Sequence, residues 1–395
     1  MPLFLASTRC CLLLVAETLA NAQFPQPRLV QSIPAETDLA DPELPFARDV
    51  WPEMIREAKR TVDLAEFYIT SEPGGKTSAL EPTLTALEDA GARGVKIRIL
   101  FSSRMLDQDP ASIARLRRIP GLELRPFDFG AGAHGILHAK YFVVDNSEAY
   151  VGSQNLDWRS LQHIHETGLR FRTPGLVKPL SAIFEADWAF AATHHRPAFL
   201  KVPELPERPT YELVASPPFL NPPGVRSALP ALTELLAQAK DRIRVQVMTY
   251  SPVAGRVRYW PALDNALRAA ALRGVRVQFL VSDWNLELPA VDHLKSLACL
   301  PNIQIRIASI PEAATGHIPY ARVIHSKYMT VDGDVLWLGT SNWGEDYFTE
   351  SRNVEIIARN KALATQADGI FERLWHSRFC FPLDPGKAYA PRKRD

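Results

Sequence analysis

The sequence predicts an α/β protein: two similar α/β/α sandwich repeats with mixed sheets, packed about a pseudo-two-fold axis around one shared active site. Three observations predict it. An eight-residue frame occurs twice, as HAKYFVVD (138–145) and HSKYMTVD (325–332), 187 residues apart. Each copy is followed at the same distance by Gly-Ser/Thr-x-Asn, at 152–155 and 339–342. The stretch GARGVKIRILFSS (91–103) returns as ALRGVRVQFLVSD (271–283), a helix end, a glycine and an alternating strand in both places. Strands alternating with helices in each half give the α/β class, and a duplicated unit packs like a homodimer made in one chain.

The elements follow in order. Residues 1–22 read as a signal peptide: Arg9 precedes the apolar run 10–16, and Ala20-Asn21-Ala22 supplies an A-x-A cleavage pattern. The run is too short to span about 30 Å of hydrocarbon. Export to a periplasm or the exterior is therefore expected, with cleavage after Ala22. Residues 23–45, rich in proline and acidic residues, read as an extended lead-in. The first repeat is expected over 46–196, with a helix at 52–60, a strand at 62–70, a helix at 83–92 and a strand at 95–101. Residues 197–228 read as a linker, since 197–223 holds eight prolines. The second repeat is expected over 229–395, with a helix at 229–239, a strand at 243–248, a helix at 262–271 and a strand at 275–281.

Composition narrows the function. The chain of 395 residues is 46% hydrophobic and 23% charged, a balance that folds. A net charge of +1 argues against a protein held on duplex DNA by bulk electrostatics. The one basic run, Arg392-Lys393-Arg394, reads as a solvated tail. Loss of the leader leaves Cys299 and Cys380, too few for a disulfide framework, and their pairing stays open. No Asn-x-Ser/Thr acceptor is present, which fits a bacterial export route.

The repeated frame carries the chemistry. Side chains two apart in a strand share a face, so each His projects with its Lys. Asp145-Asn146 and Asp332-Gly333 read as hairpin turns. With the first turn centred between Asn146 and Ser147, Lys140 faces Ser153 and His138 faces Asn155; Lys327 then faces Thr340 and His325 faces Asn342. Each half so presents His, Lys, a hydroxyl and Asn. The Lys cation and the neutral donors suit the equatorial oxygens of a phosphoryl group. A neutral imidazole can attack phosphorus, and a protonated one can donate to the leaving oxygen. In-line displacement needs both, on opposite sides of phosphorus. The catalytic candidates are therefore His138, Lys140, Asn155, His325, Lys327 and Asn342. Ser153, Thr340, Glu166 and Glu355 are supporting candidates, with either glutamate able to orient a histidine. Asp145 and Asp332 face away from the His-Lys side and are expected to shape the turns. Tyr68, Tyr250 and Trp343 are candidates for substrate contact, among flanking aromatics that include Trp158, Trp284, Tyr320, Tyr347 and Phe348. His163, His165, His194 and His195 read as surface or supporting residues. No His/Cys/Asp cluster has metal-ligand spacing, and no metal or other cofactor is expected.

The double HxKxxxxD, each followed by Gly-Ser/Thr-x-Asn, resembles the phospholipase D superfamily. Longer stretches, GSQNLDWRSLQHIHETG (152–168), IFEADW (183–188), RYWPALDNALR (258–268), IPYARVIHSKYM (318–329) and GTSNWGEDYFTE (339–350), are similar to one branch of it. That branch is the animal lysosomal phospholipase-D-like 5′-exonucleases with their bacterial and poxviral relatives. The resemblance implies a phosphohistidine intermediate, with His138 as nucleophile and His325 as acid by analogy. It also implies metal-independent 5′-to-3′ hydrolysis of single-stranded DNA or RNA, releasing nucleoside 3′-phosphates. The alternative within the same chemistry is a phospholipid substrate. The expected partners are thus single-stranded nucleic acid or phospholipid as substrate, with no obligate protein partner.

Overall fold

The computed structural model describes residues 26–74, 78–130, 132–195, 199, 206, 208–255, 257–392 and 394. The expected leader and part of the expected linker lie outside the described residues.

The first half runs β1 (Arg28–Ser32), α1 (Ala47–Glu57), β2 (Thr61–Glu66), α2 (Glu81–Ala92), β3 (Lys96–Ser102), β4 (Leu122–Phe127), β5 (Tyr141–Val144), β6 (Glu148–Gly152), β7 (Glu166–Phe171) and α3 (Pro174–Thr193). Its seven strands lie in the order β1-β7-β6-β5-β2-β3-β4. Strands β2, β3 and β4 are parallel, and the rest pair antiparallel. The second half repeats this with β8 (Tyr211–Ser216), β9 (Arg226–Ser227), α4 (Ala228–Gln238), β10 (Arg242–Val247), α5 (Ala262–Leu272), β11 (Arg276–Ser282), α6 (Ala290–Ala298), β12 (Ile303–Ala308), β13 (Tyr328–Val331), β14 (Val335–Gly339), β15 (Asn353–Ala358), α7 (Lys361–Trp375) and β16 (Cys380–Pro382). Its nine strands lie in the order β9-β8-β15-β14-β13-β10-β11-β12-β16.

Each sheet is covered on both faces, so its central strands are apolar on both sides. Outside the first sheet, Trp51 and Met54 of α1 and Leu84 and Leu87 of α2 pack on Leu64 and Ile99. Outside the second, Leu232 of α4, Leu267 of α5 and Leu294 of α6 pack on Val245 and Val277. Between the sheets, Leu180 and Phe184 of α3 and Ile370 and Phe371 of α7 share one core with Tyr141 and Tyr328. Each such buried apolar side chain contributes about 1.5–3 kcal/mol, so the halves are joined by a core rather than by a surface contact.

The repeat boundaries need correction. The lead-in holds β1, which pairs with β7, and the proline-rich stretch holds β8, which pairs with β15 in the same sense. The two strands are equivalent, and each opens its repeat. Proline flanks Tyr211–Ser216 on both sides, which hid a strand that is buried throughout. No helix among the described residues is long and apolar enough to cross a membrane. Cys299 and Cys380 are both free thiols.

Candidate active site

The hairpins that carry the repeated frame pair one residue out of the expected register. Tyr141 pairs with Val151, and the Gly152 amide donates to the Lys140 carbonyl. Tyr328–Leu338 and the Gly339 amide repeat this in the second half. The cause is a three-residue loop in which Asp145 and Asn146 take φ of 53°, as Asp332 and Gly333 take 54° and 72°. Asx residues and glycine tolerate that left-handed region. The glycines before each asparagine are required by space: a Cβ on Gly339 would sit 2.7 Å from the Val354 carbonyl.

The His and Lys immediately precede the first strand of each hairpin. Each histidine is seated by the other half. The His138 amide donates to the Arg352 carbonyl at 2.9 Å, and the His325 amide donates to the His165 carbonyl at 2.8 Å. These positions are offset by 187 residues throughout, so the exchange is reciprocal, as a pseudo-two-fold requires. Arg352 is itself fixed: its buried guanidinium meets Asp187 of α3 at 2.8 Å and the Ser216 and Leu220 carbonyls.

Both imidazoles line one cleft of about 530 Å³, together with Asn155 and Asn342. Lys140 and Lys327 lie beneath it, 1% exposed, each ammonium donating to the carbonyl of its own motif histidine. Burial brings Lys140 down to about 7, against Glu66 and Glu166, and lowers Lys327 strongly. An anion bound in the cleft above them would favour the charged form of both.

The two histidines differ in one partner. His325 Nδ1 lies 2.9 Å from Glu166 Oε2, while His138 Nδ1 lies 3.0 Å from Asn353 Oδ1. Glu166 serves the histidine of the opposite half. Its counterpart is Asn353, not Glu355, which accepts from the Ser341 hydroxyl instead. The expected role for Glu355 is therefore corrected; it stands two residues beyond the equivalent position, one step further along β15 from His138. Burial and Lys327 push His325 down to about 4, with Glu166 pulling the other way. Burial, Lys140 and Lys327 hold His138 well below its ordinary value, with only the Asn353 hydrogen bond opposing. Glu166 is lowered despite its burial, chiefly by His325. The site thus favours a proton on His325 over His138.

The supporting hydroxyls do not enter the cleft. Ser153 bonds the Thr167 backbone, and Thr340 donates to Asn353 Oδ1 at 2.8 Å. Asp145 accepts from the amides of Lys59, Arg60 and Thr61, and Asp332 from those of Lys240, Asp241 and Arg242. Partial burial pulls both carboxyls up, yet these amides hold both below their ordinary value. They close helix-to-strand turns far from the imidazoles.

Of the aromatic candidates, Tyr68, Trp284, Tyr320 and Tyr347 line the cleft. Tyr250 and Trp343 do not: at 1% and 0% exposure they are core residues, packed on Phe279. The short strands that hold them turn the side chains into the sheet–helix core. Sequence reasoning missed Phe67 and the use of Tyr347, whose rings stand 5.2 Å and 4.9 Å from His138. It also missed Glu66, buried beside Lys140, and Asn353. A constant offset of 187 from Glu166 would have found Asn353. Glu66 and Phe67 stand at the carboxyl end of β2, where open α/β sheets bind ligands.

Two opposed imidazoles over buried cations and amide donors make a phosphodiester site. A family model described as "Cardiolipin synthase, PLD-like domain" matches residues 52–188 and 232–375. Phospholipase D Z of Dictyostelium discoideum is 35% identical over 85% of this chain and 86% of its own length. The human 5'-3' exonuclease PLD3 is 32% identical over 90% of this chain and 80% of its own. Phosphatidylserine synthase from Haemophilus influenzae superposes with a TM-score of 0.60 at 11% identity, covering 85% of both chains. The chain belongs to the phospholipase D superfamily. It is a hydrolase acting on phosphodiesters, similar in sequence to the PLD3 group and to the Dictyostelium phospholipases D.

Proposed function

We propose that the protein is a metal-independent 5′-to-3′ exonuclease on single-stranded DNA or RNA that releases nucleoside 3′-phosphates. The observation that carries this reading is the cleft itself: two imidazoles with unlike partners, walled by Phe67, Tyr68, Trp284, Tyr320 and Tyr347. Rings of this kind stack bases at about 1–3 kcal/mol each whatever the sequence, which suits a nearly neutral protein. The relatives named 5'-3' exonuclease support the same choice.

The roles follow from the partners. Asn353 Oδ1 accepts from His138 Nδ1–H and leaves the Nε2 lone pair free, so His138 attacks phosphorus. Glu166 favours the imidazolium of His325, so His325 gives its proton to the departing 5′-oxygen. The first nucleoside 3′-phosphoryl is then bonded to His138 Nε2. Neutral His325, oriented by Glu166, takes a proton from water as that water displaces His138. Lys140, Lys327, Asn155 and Asn342 balance the charge on the equatorial oxygens.

The test is purified protein in EDTA with a 5′-hydroxyl oligonucleotide and, separately, with phosphatidylcholine vesicles. Stepwise loss of nucleoside 3′-phosphates from the 5′ end is expected. Choline release without nucleotide release would overturn the substrate assignment in favour of a phospholipid. That second reading has its own observation, the apolar ring of Tyr320, which lines the cleft and is 52% exposed.

A further inference from the structure

Arg392 and Arg394, expected in a solvated tail, are held against the protein. Arg392 and Arg394 have side chains only 22% and 32% exposed and lie against the rim of the cleft. Arg392 Nη1 meets buried Asp283 at 2.6 Å and donates to the Arg322 carbonyl, while Nη2 donates to the Ile310 carbonyl at 2.9 Å. Arg394 donates to the Trp284 carbonyl at 3.0 Å and pairs with Glu287 at 2.6 Å. Its guanidinium stands over the Trp284 ring, 4.9 Å from the centroid. Its own carbonyl accepts from the Tyr320 amide at 2.8 Å.

Every one of these contacts falls on two segments. One is the stretch 283–287, the short turn that carries Trp284 with the residue after it; the other is the loop at 309–324 that carries Tyr320 and leads into His325. Their rings meet edge to face at 6.4 Å and both line the cleft. The loop is held partly by itself, through Arg322 Nε to the Pro311 carbonyl at 2.7 Å, and partly by its neighbours. Tyr320 and Arg322 take φ of 58° and 56°, a region unfavourable for large side chains that persists only where neighbours fix it. The first half fixes one side, through Arg322 N to the His163 carbonyl and Arg159 to the Pro319 carbonyl. The two arginines fix the other. The equivalent turn of the first half differs: Arg104 stands where Trp284 stands in the repeat, and Met105 and Gln108 line the cleft there.

We propose that Arg392 and Arg394 act as a strap that holds Trp284 and Tyr320 as one rigid stacking wall. The wall receives the bases of a flexible single strand beside the scissile phosphate. This rests on the exonuclease reading. Arg392 and Arg394 are positioning residues; neither lines the cleft. Their effect falls on binding of an extended strand and not on the displacement at phosphorus.

The experiment uses the full chain and its Arg392→Ala, Arg394→Ala and doubly substituted forms. Two substrates are compared: a 5′-hydroxyl oligothymidylate, and methyl p-nitrophenyl phosphate, a diester too small to span from phosphorus to the wall. The expected result is a five- to fiftyfold rise in KM for the oligonucleotide in the double variant, of the size of one lost base stack. Its kcat, and turnover of the small diester, stay within about twofold. Arg394→Lys, which keeps a cation over Trp284, recovers at least half of the loss. Unchanged oligonucleotide KM overturns the strap, and so does an equal loss on both substrates. A wild type that turns over the small diester but no oligonucleotide overturns the exonuclease reading, and the strap with it.

Discussion

Replacing Glu166 by Gln tests the division of labour between the histidines. The substitution keeps the shape and one acceptor for His325 Nδ1 but removes the charge. The group is 0% exposed, so solvent does little to screen its loss. At 2.9 Å between Nδ1 and Oε2, the charge centres are about 4 Å apart. In an effective dielectric of about 20 that is about 4 kcal/mol, which sets a ceiling near 10³ on the rate. Part is regained by the amide, so a fall in kcat of about 10²–10³ is expected. The sign of the pH effect is fixed. His325 already sits at about 4 with Glu166 opposing its burial. Without the carboxylate its pKa falls further, and the alkaline limb of the kcat/KM profile, which reports loss of the acid, moves to lower pH. The assay is the full pH–rate profile of both forms on one oligonucleotide. Asn353→Asp is the control: a new carboxylate at His138 raises that imidazole and moves the acid limb upward. Glu166→Gln activity within threefold of the wild type, or an alkaline limb that does not move, would refute the assignment of the acid to His325.

Four further outcomes are expected. His138→Ala and His325→Ala each lower turnover by at least three orders of magnitude while the far-ultraviolet circular dichroism stays that of the wild type. Because His325 must carry a proton and burial has lowered it to about 4, kcat/KM is higher at pH 5 than at pH 8, measured at constant ionic strength. Asp145→Ala loses three amide contacts and about 1–2 kcal/mol, by comparison with helix caps, lowering Tm by about 2–4 °C with kcat unchanged. That contribution is present above the unfolded carboxyl value and is lost as pH falls through the depressed folded one. Expression with the native N-terminus in a bacterial host, followed by N-terminal sequencing of the exported protein, yields Gln23 as the first residue.

The sequence made the duplicated α/β plan legible because the repeat is nearly undistorted between 91 and 103 and between 271 and 283. It made His138 and His325 legible for the same reason. What it hid has physical causes. Strands β1 and β8 take their antiparallel partners from far along the chain, so their signal is a few buried residues amid prolines, with no local hairpin to announce them. The register slipped by one because turn length depends on the backbone angles of Asp145 and Asn146, which composition alone leaves open. Tyr250 and Trp343 were misread because an aromatic next to a motif can face the core as readily as the cleft, and a two-residue strand has no periodicity to decide it. Glu355 drew attention as a carboxylate, whereas the position that matters, 353, holds a neutral amide.

That amide shows what joining two copies in one chain makes possible. In an assembly of two identical subunits, whatever group touches one imidazole must touch the other, and the pair shares a single acidity until a ligand breaks the tie. Here positions 166 and 353 are encoded separately, so Glu and Asn could be fitted to different halves of one displacement. The molecule keeps the geometry of a dimer while its electrostatics are already polarised, before any substrate arrives, in the direction that the proposed proton transfer requires.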